Sequence, residues 1–525
     1  MRLLFFNGKI YTLDEAKPMA QAVAIDGSLI VALGSDKEVK VEIGTGKWES
    51  IDLQGRAVVP GFIDCHIHFL TYALGLEQID LEGVESLEKA LDLVAGRVKS
   101  VKPGQWISGF GWDHSLWKGF PSKEDLDRVA PENPVALTRK DGHLLWVNSL
   151  ALREAKIDRE TPDPSGGHIQ RDEVGEPTGI LMERAKELVY ALLPQPTAEE
   201  RRRALLRAAK KAHQVGLTGI HDCEGGEAFG DFQALGERLG LRVQMMIPQD
   251  SLEAAIALGL KSGFGNHYLR VGHLKIFANG SLGSQTADML EPYLGQPDNK
   301  GIVVTPEEET RALIERASQN EIACAVHAIG DAANHKVLRA YAEVREKGIG
   351  LNLRHRIEHV QLLHPGDVAR FGSLGVIASM QPIHATSDML VADRYWGERA
   401  RYSYAWRSLL DSGAALAFGS DCPVESLNPL WGLHAAVTRQ RADSTPPGGW
   451  HPQERLSLPQ ALRAYTLGAA YASGEEKVKG SIAPGKLADL VVLSRDIFEI
   501  PPQEILETEV VFTIFDGNIV YEGGE

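Results

Sequence analysis

The chain has 525 residues, of which 43% are hydrophobic and 24% are charged. This balance is that of a soluble globular protein, and the length exceeds that of one simple domain. The formal net charge of −16 argues against nucleic acid and anionic membrane surfaces as partners.

The sequence has no segment typical of a secretory signal or a membrane span. The apolar run at the start of MRLLFFNGKIYTLDEA is short and is typical of a strand and turn. No apolar stretch approaches the roughly 20 residues of a membrane span. The cysteines Cys65, Cys223, Cys324 and Cys422 form no CxxC pair, which argues against a zinc knuckle and a disulfide framework. We therefore expect a cytoplasmic protein.

Both ends of the chain are predicted to form short strands joined by tight turns. LLFFNGKIYTLD and AVAIDGSLIVALGS near the start contain Asn-Gly and Asp-Gly turns, and EVVFTIFDGNIVYEGG near the end contains another Asp-Gly turn. Two such groups around a long middle segment predict one small β-sandwich domain, built from residues 1–58 and 480–525.

The middle of the chain, residues 59–479, alternates apolar strand candidates with helical patterns such as PEEETRALIERASQ. Strands that are apolar almost throughout and alternate with helices indicate a parallel sheet, and eight of them predict a closed (β/α)₈ TIM barrel. The gap after the first strand is too long for one helix, so residues 70–195 are predicted to be an inserted subdomain. The eight strand candidates are GFIDCHIHF, GLTGIHDC, LRVQMMIP, LKIFANGS, ACAVHAIGD, HRIEHVQL, VIASMQPI and ALAFGSDC.

The strongest local motif is PGFIDCHIH, which places His66 and His68 two residues apart at the end of the first barrel strand. The period of two on a strand puts both imidazoles on one face, and converging imidazoles suit Zn²⁺ or a similar ion. An isolated HxH is more often a chance surface pair. Its position at the carboxyl end of a barrel strand, where barrel active sites lie, favours a metal site.

Four more candidate residues fall on strands four, five, six and eight: Lys275, His327, His359 and Asp421. Each has a simpler explanation when taken alone. A strand lysine is commonly a rim charge, a strand histidine is commonly a satisfied core group, and Asp421 is placed to cap the next helix. Their joint occurrence at barrel strands favours a shared metal site.

The complete set resembles that of the amidohydrolase superfamily, which has HxH on strand one, an optional lysine on strand four, histidines on strands five and six, and aspartate on strand eight. The strings LKIFANGSLGSQTADMLEPY, VHAIGDAAN, RIEHVQ and GSDCPVESLNP resemble amidohydrolase family 3, the YtcJ-like branch that includes proteins similar to N-substituted formamide deformylase. The terminal strings NGKIYTLD and SIAPGKLADLVVLSRD also match this branch, so the resemblance covers nearly the whole chain.

The resemblance implies specific roles for the candidate residues. Lys275 would bridge two ions as a carbamate after reaction with CO₂. The alternatives are that Lys275 stays an ammonium beside a single ion or that it binds substrate. Asp421 would be both a ligand and the general base. The implied cofactor is a divalent metal, zinc, in one or two ions, although these ligands also suit Fe²⁺ and Mn²⁺. The metal ligands implied by the resemblance are His66, His68, Lys275, His327, His359 and Asp421.

Weaker candidates have evenly balanced alternatives. His143, in TRKDGHLLWVNS, is a candidate catalytic residue that would reach the substrate carbonyl, or else a rim histidine. Asp64 would orient the ligands or complete strand-end hydrogen bonds. The pair His221-Asp222, at the end of the second barrel strand, would line the mouth of the barrel near the metal site. The inserted tryptophans would form an apolar substrate wall or pack a core, and they are Trp112, Trp117 and Trp146.

These observations predict a metal-dependent amidohydrolase that hydrolyses a non-peptide C–N bond, in an N-acyl or N-formyl amide, by metal-activated water. The alternatives are a cyclic amidase, a deaminase or a lactonase on the same site, or a non-catalytic relative that keeps the barrel as a scaffold. The expected partner is a small-molecule substrate. The sequence does not determine the oligomeric state, although a homodimer is common for acidic enzymes of this size.

Overall fold

The computed structural model describes residues 2–117, 119–140 and 142–524. The chain divides into two compact units. The main unit comprises Met1–Tyr72 and Leu205–Glu525, and the insert unit comprises Ala73–Ala204.

The centre of the main unit is an eight-stranded sheet in which every neighbouring pair of strands is parallel. Each of the eight strands overlaps one of the apolar stretches predicted from the sequence, so the predicted (β/α)₈ barrel is confirmed. In chain order, barrel strands one to eight are Phe62–Ile67, Leu217–Asp222, Arg242–Pro248, Leu269–Phe277, Cys324–Ala328, Arg356–His359, Ile377–Met380 and Leu416–Phe418.

Backbone contacts at the carboxyl ends bring the first and eighth strands together. The amide of Asp421 donates to the carbonyl of His66 over 2.7 Å, and the amide of His68 donates to the carbonyl of Cys422 over 2.9 Å. A Cβ atom on Gly419 would lie 2.5 Å from both the Asp64 carboxylate and the His66 amide nitrogen. Glycine therefore permits the close approach that places these two strand ends side by side.

The helices between the barrel strands follow ordinary amphipathic rules. Glu307–Gln319, for example, begins with three glutamates and buries Thr310, Ile314 and Ala317 at helical spacing. The helices of seven or more residues that follow barrel strands are Phe69–Gly75, Gly226–Leu235, Glu307–Gln319, Asp331–Glu346, Val368–Leu374, Pro382–Trp396 and Pro429–Thr438. The other α-helices among residues 198–472 are Ala198–Gln214, Leu252–Ala257, Trp406–Asp411, Leu458–Ala464 and Leu467–Ala472.

The two ends of the chain form a pair of sheets around one apolar core. This core combines N-terminal residues such as Leu3 and Val23 with C-terminal residues such as Leu490 and Ile514. The four-stranded sheet contains Arg2–Phe6, Ala22–Asp26, Leu29–Gly34 and Glu49–Asp52, with the helix Asp36–Ile43 between its last two strands in sequence. The six-stranded sheet contains Lys9–Tyr11, Met19–Ala20, Ala57–Pro60, Leu490–Leu493, Val510–Phe515 and Asn518–Glu522. The exact domain boundaries, 1–58 with 480–525 and 59–479 with 70–195 inserted, stay a prediction.

A buried ion pair joins these terminal sheets to the barrel. Arg242, at the start of the third barrel strand, is 2% exposed and contacts both carboxylate oxygens of Asp489 at 2.6 and 2.9 Å. It also contacts Asp516 at 2.9 Å. The bidentate geometry and the second carboxylate compensate for burying the guanidinium.

The insert unit has its own six-stranded sheet and apolar core. Trp112 and Trp146 are fully buried, and their indole nitrogens donate to the carbonyls of Leu137 and Ser122. The ring centroids of Trp117 and Trp112 are 6.0 Å apart. Core packing, one of the two alternatives, therefore describes these tryptophans. The strands are Ile79–Asp80, Ile107–Trp112, Val135–Arg139, Leu144–Val147, Gly167–Arg171 and Pro177–Glu183, and the helices are Leu87–Val98, Lys123–Val129, Ser149–Glu154 and Glu187–Tyr190.

None of the helices in the described ranges combines the length with the apolar character that crossing a membrane requires.

Candidate metal centre

The histidines of the HxH motif meet Asp421 at the carboxyl end of the barrel. Oδ1 of Asp421 lies 3.4 Å from Nε2 of His68 and 3.6 Å from Nε2 of His66. His66 is 1% exposed and His68 about one third exposed, so the cluster opens toward solvent on the His68 side. The three ligand atoms lie within 4.8 Å of one another, which is compatible with a shared cation.

The proton positions on His66 favour a cation at this point. Its Nδ1 lies 2.5 Å from Oε2 of Glu358, and because an ionised carboxylate only accepts, Nδ1 carries the proton. Burial and the Lys275 ammonium lower the pKa of His66 to about 4, so the ring is neutral and Nε2 presents a lone pair. A lone pair and the Asp421 carboxylate therefore face the same space, and a metal ion satisfies both.

Glu358 is the buried carboxylate that holds His66 in this orientation. It is fully buried and also accepts a hydrogen bond from Ser379 Oγ at 2.7 Å. Its Oε1 lies 2.5 Å from Nε of the fully buried Arg356. Burial alone would raise the pKa of Glu358, but Arg356 and His66 hold it well below its usual range. The carboxylate therefore stays ionised and fixes the imidazole, as carboxylates behind metal-bound histidines do.

The same network continues into the barrel interior. Arg356 donates from Nη1 to Nδ1 of His221 at 2.9 Å and from Nη2 to the carbonyl of Cys65 at 2.9 Å. His221 is 1% exposed. It therefore lies beneath the metal cluster as a partner of Arg356 and does not line the mouth. The neighbouring Asp222 accepts from the amide of Phe69 and so supports the segment after the first barrel strand.

Two of the candidate ligands have left-handed backbone conformations. His359 has φ of 73° and Asp421 has φ of 59°. Non-glycine residues pay roughly 1–3 kcal/mol for such conformations, which cluster at functional sites. On a regular strand Glu358 and His359 would point to opposite faces. The left-handed turn at His359 instead lets both side chains contact the site.

Lys275 reaches the same cluster from the fourth strand. It is 3% exposed, and its Nζ lies 3.3 Å from Nε2 of His66. Within the described ranges no ion pair joins Lys275 to a carboxylate, and its Nζ lies 5.2 Å from the ring centroid of Phe277.

His327 and His359 pack edge to face with ring centroids 4.5 Å apart, and His359 lies 4.7 Å from the ring of His66. Burial and Lys275 lower the pKa of His327 to about 3, and burial also holds the pKa of His359 well below its usual range. Both rings are therefore neutral, the form that binds metal. Nε2 of His327 is turned toward the carbonyl of Gly280 at 3.3 Å, so His327 is less well oriented than His66 for a shared ion.

Asp64 joins the first strand to the segment that carries Asp421. It is 1% exposed and accepts hydrogen bonds from Ser420 through both the amide and Oγ, and from the amide of His66. Burial raises the pKa of Asp64 to about 7, although these donors lower it in part. Asp64 therefore has both roles considered for it. Its strand-end hydrogen bonds also hold the backbone of the ligand His66 and of Ser420, the residue before the ligand Asp421.

His384 is a site residue that the sequence analysis missed. It lies in the first turn of Pro382–Trp396, directly after the seventh strand, and is 6% exposed. Its Nε2 lies 3.3 Å from Oδ2 of Asp421 and its Nδ1 lies 3.7 Å from Glu425. Burial lowers the pKa of His384, but Asp421 and Glu425 outweigh it and raise the pKa to about 10. Pro382 was the only local signal at this point, because proline favours the first turn of a helix and so predicts a helix start two residues before His384.

His143 lies in the insert unit, where its side chain is exposed and its Nδ1 is 3.0 Å from Oε1 of Glu183. A catalytic role for His143 stays a prediction.

Residues 49–521 match the amidohydrolase family. The chain is 38% identical to protein LONG AFTER FAR-RED 3 of Arabidopsis thaliana, over 99% of this chain and 91% of that protein. It is 31% identical to N-substituted formamide deformylase of Arthrobacter pascens, over 99% of this chain and 98% of the relative. These matches confirm the family resemblance found in the motifs.

The fold is also similar to the crystal structure of an uncharacterized metal-dependent hydrolase from Pyrococcus furiosus. The TM-score is 0.79 at 29% sequence identity, and the match covers 94% of this chain and 99% of that one.

Proposed function

Because this chain belongs to the amidohydrolase family, we propose that it is a zinc-dependent hydrolase that cleaves a carbon–nitrogen bond other than a peptide bond. The observation that carries the proposal is the convergence of His66, His68 and Asp421 on one point at the barrel mouth. An N-acyl or N-formyl amide is the proposed substrate class, supported by the similarity to a relative named N-substituted formamide deformylase.

The proposed ligands supply the donor atoms that zinc prefers, imidazole nitrogen and carboxylate oxygen. When bound, the metal polarises a carbonyl and lowers the pKa of a water molecule to about 7. His66 enters this set already oriented, because Glu358 occupies its Nδ1. The set that we propose to hold one or two ions is His66, His68, Lys275, His327, His359 and Asp421.

Asp421 is the residue that we assign to proton transfer. Its Oδ1 faces the HxH pair, where the attacking water would lie. Asp421 would accept a proton from this water and deliver it to the departing nitrogen. A carboxylate oxygen has a second lone pair, so contact with a cation leaves proton acceptance possible.

Lys275 is proposed to be carboxylated. Its amine would form an N–C bond to CO₂ and release one proton, giving an anionic carbamate beside the ligands. Two features support this assignment. The side chain is buried at 3.3 Å from His66, and no ion pair in the described ranges neutralises its ammonium form.

Replacing this lysine tests the carbamate directly. Lys275→Ala should lose one bound metal ion and most activity, because the bridging anion is gone. Formate or acetate should partly restore the metal content, since a short carboxylate can occupy the vacant position. Chloride at equal ionic strength is the matched control and should restore nothing. Full metal content in Lys275→Ala without added acid would contradict the bridging role.

A substrate panel tests the proposed function itself. Purified protein loaded with zinc should hydrolyse N-substituted formamides or short N-acyl amides, and dialysis against a chelator should abolish turnover until zinc is returned. Product amine is measured for each substrate, with cyclic amides, aminopurines and lactones as comparison classes. A protein that binds zinc but hydrolyses only a comparison class has another substrate. A protein that binds zinc but hydrolyses none of these substrates would support the alternative of a non-catalytic scaffold.

A further inference from the structure

Phe277 is an aromatic side chain at the barrel mouth, beside the candidate metal ligands. It is the last residue of the fourth barrel strand and follows Lys275 by two residues. The period of two on a strand puts both side chains on the same face, and Lys275 reaches His66 from that face. The Phe277 side chain therefore belongs to the inner face of the barrel, at its carboxyl end.

Two distances place the Phe277 ring next to the proposed metal centre. Its centroid lies 5.2 Å from Nζ of Lys275 and 5.5 Å from the ring centroid of His327. Phe277 and His327 are also direct partners in the pairing of the fourth and fifth strands. A molecule bound at these ligands would therefore lie within contact distance of the ring.

The Phe277 ring is open to solvent. Phe277 is 43% exposed, whereas Lys275 on the same strand face is 3% exposed. The segment beside it carries further apolar side chains, because the amide of Val304 donates to the carbonyl of Ala278 over 2.9 Å. Ile302 and Val304 are each more than half exposed. Exposed apolar surface next to a reaction site is typical of a surface that a ligand covers.

The position of Phe277 in the barrel indicates which part of a substrate it would contact. The fourth strand lies opposite the eighth in the eight-stranded barrel, and Asp421 follows the eighth strand. Asp421 is assigned to deliver a proton to the departing nitrogen, which puts the amine on the side of the eighth strand. The acyl group, on the other side of the amide bond, would then extend toward Phe277.

We propose that Phe277 forms a wall for the acyl group of the substrate, and that this group is aryl or branched alkyl. The inference rests on the proposed function and selects, within its substrate class, N-acyl amides that have an apolar acyl group. A formyl group has only a hydrogen atom on the amide carbon, so it would leave the ring in water. An aryl or branched group would cover the ring and remove apolar surface of both partners from water.

Paired substrates that share one amine test this wall. N-benzoylpropylamine and N-formylpropylamine are compared on the zinc-loaded protein, with kcat/KM measured through the released propylamine. Phe277→Ala should lower the benzoyl-to-formyl ratio of kcat/KM by about 10- to 100-fold, because it loses an apolar contact that only the benzoyl group makes. Bound zinc should stay at the wild-type level, since Phe277 supplies no ligand atom.

Phe264→Ala is the matched control for the loss of an exposed aromatic ring. Phe264 is 65% exposed and precedes the amino end of the same strand, away from the barrel mouth. Its benzoyl-to-formyl ratio should equal that of wild type. An unchanged ratio in Phe277→Ala, or an equal fall in Phe264→Ala, would overturn the wall. Hydrolysis of the formyl amide alone by wild type would also overturn it and leave the proposed function standing.

Binding of the acid products tests Phe277 without turnover. Calorimetry on the zinc-loaded protein compares benzoate with formate, and Phe277→Ala should lose about 10-fold more affinity for benzoate than for formate. Phe264→Ala should keep the wild-type difference between the two acids. An unchanged difference in Phe277→Ala would overturn the wall. Wild type that hydrolyses no amide would contradict the proposed function, and the benzoate comparison would still decide whether Phe277 receives an apolar group.

Discussion

Asp421→Asn should lower turnover by about 10²–10⁴-fold, the usual worth of general acid–base assistance. Asparagine keeps the shape and one oxygen donor, so the fold and most of the metal at the HxH pair should remain. An amide cannot accept the proton of the attacking water. Turnover is measured on the amide that the wild type hydrolyses fastest, with metal content determined on the same samples.

Asp367→Asn is the control for this change. Asp367 is 2% exposed and ion-paired to Arg370 at 2.7 Å, but it is not one of the candidate metal ligands. Its replacement should affect stability and leave turnover per folded molecule intact. Near-native turnover in fully metallated Asp421→Asn would show that Asp421 is only a ligand, and His143 would be the next candidate base.

Glu358→Gln should have the largest effect among residues that touch no substrate. The change leaves the buried Arg356 without a charged partner, so the free energy of unfolding should fall by about 3–5 kcal/mol. It also loosens the hold on Nδ1 of His66, and metal affinity should therefore fall by about 10–100-fold. Chemical denaturation measures the first effect and metal titration the second.

A matched glutamate separates these two effects. Glu475 is 2% exposed and pairs with Lys479 at 2.7 Å, and it contacts neither His66 nor Asp421. Glu475→Gln should lower stability through the same loss of a buried pair and leave metal affinity unchanged. If both variants lose stability but neither loses metal affinity, Glu358 is a structural ion-pair partner and does not position His66.

The barrel could be predicted from the sequence because its strands are apolar on both faces and the gaps between them are mostly helical. The pairing of His66 with His68 followed from the period of two on a strand. Asp421 could be placed because it lies three residues after Phe418, the last residue of the eighth strand. These predictions depend only on local pattern and on the position of barrel sites at the carboxyl ends of strands.

The contacts of Glu358 could not be predicted from the same pattern. Strand alternation separates Glu358 from His359, and only the left-handed conformation at His359 brings both to the site. His384 was missed for a related reason. It follows immediately after the predicted stretch VIASMQPI, and it belongs to a helix whose first turn reaches the mouth. Side chains that arrive from beyond a strand end need three-dimensional contacts to be recognised.

The inserted tryptophans show a different limit. A large aromatic side chain in an insertion suits a substrate wall and a core equally well on composition alone. The full burial of Trp112 and Trp146 and their hydrogen bonds to backbone carbonyls resolved this alternative in favour of the core.

Metal content is the most direct test of the central claim, that the HxH pair and Asp421 hold a catalytic metal. The protein is purified without chelator, and its bound metals are measured by mass spectrometry beside those of His66→Ala and His68→Ala. His213→Ala is the folded control, because His213 is buried, contacts the carbonyl of Gly240 through Nε2 and is not one of the candidate ligands. We expect at least one divalent ion per chain in wild type and in the control. Both HxH variants should lose that ion and the ability to hydrolyse the substrate. Full metal content in folded His66→Ala and His68→Ala would contradict the central claim.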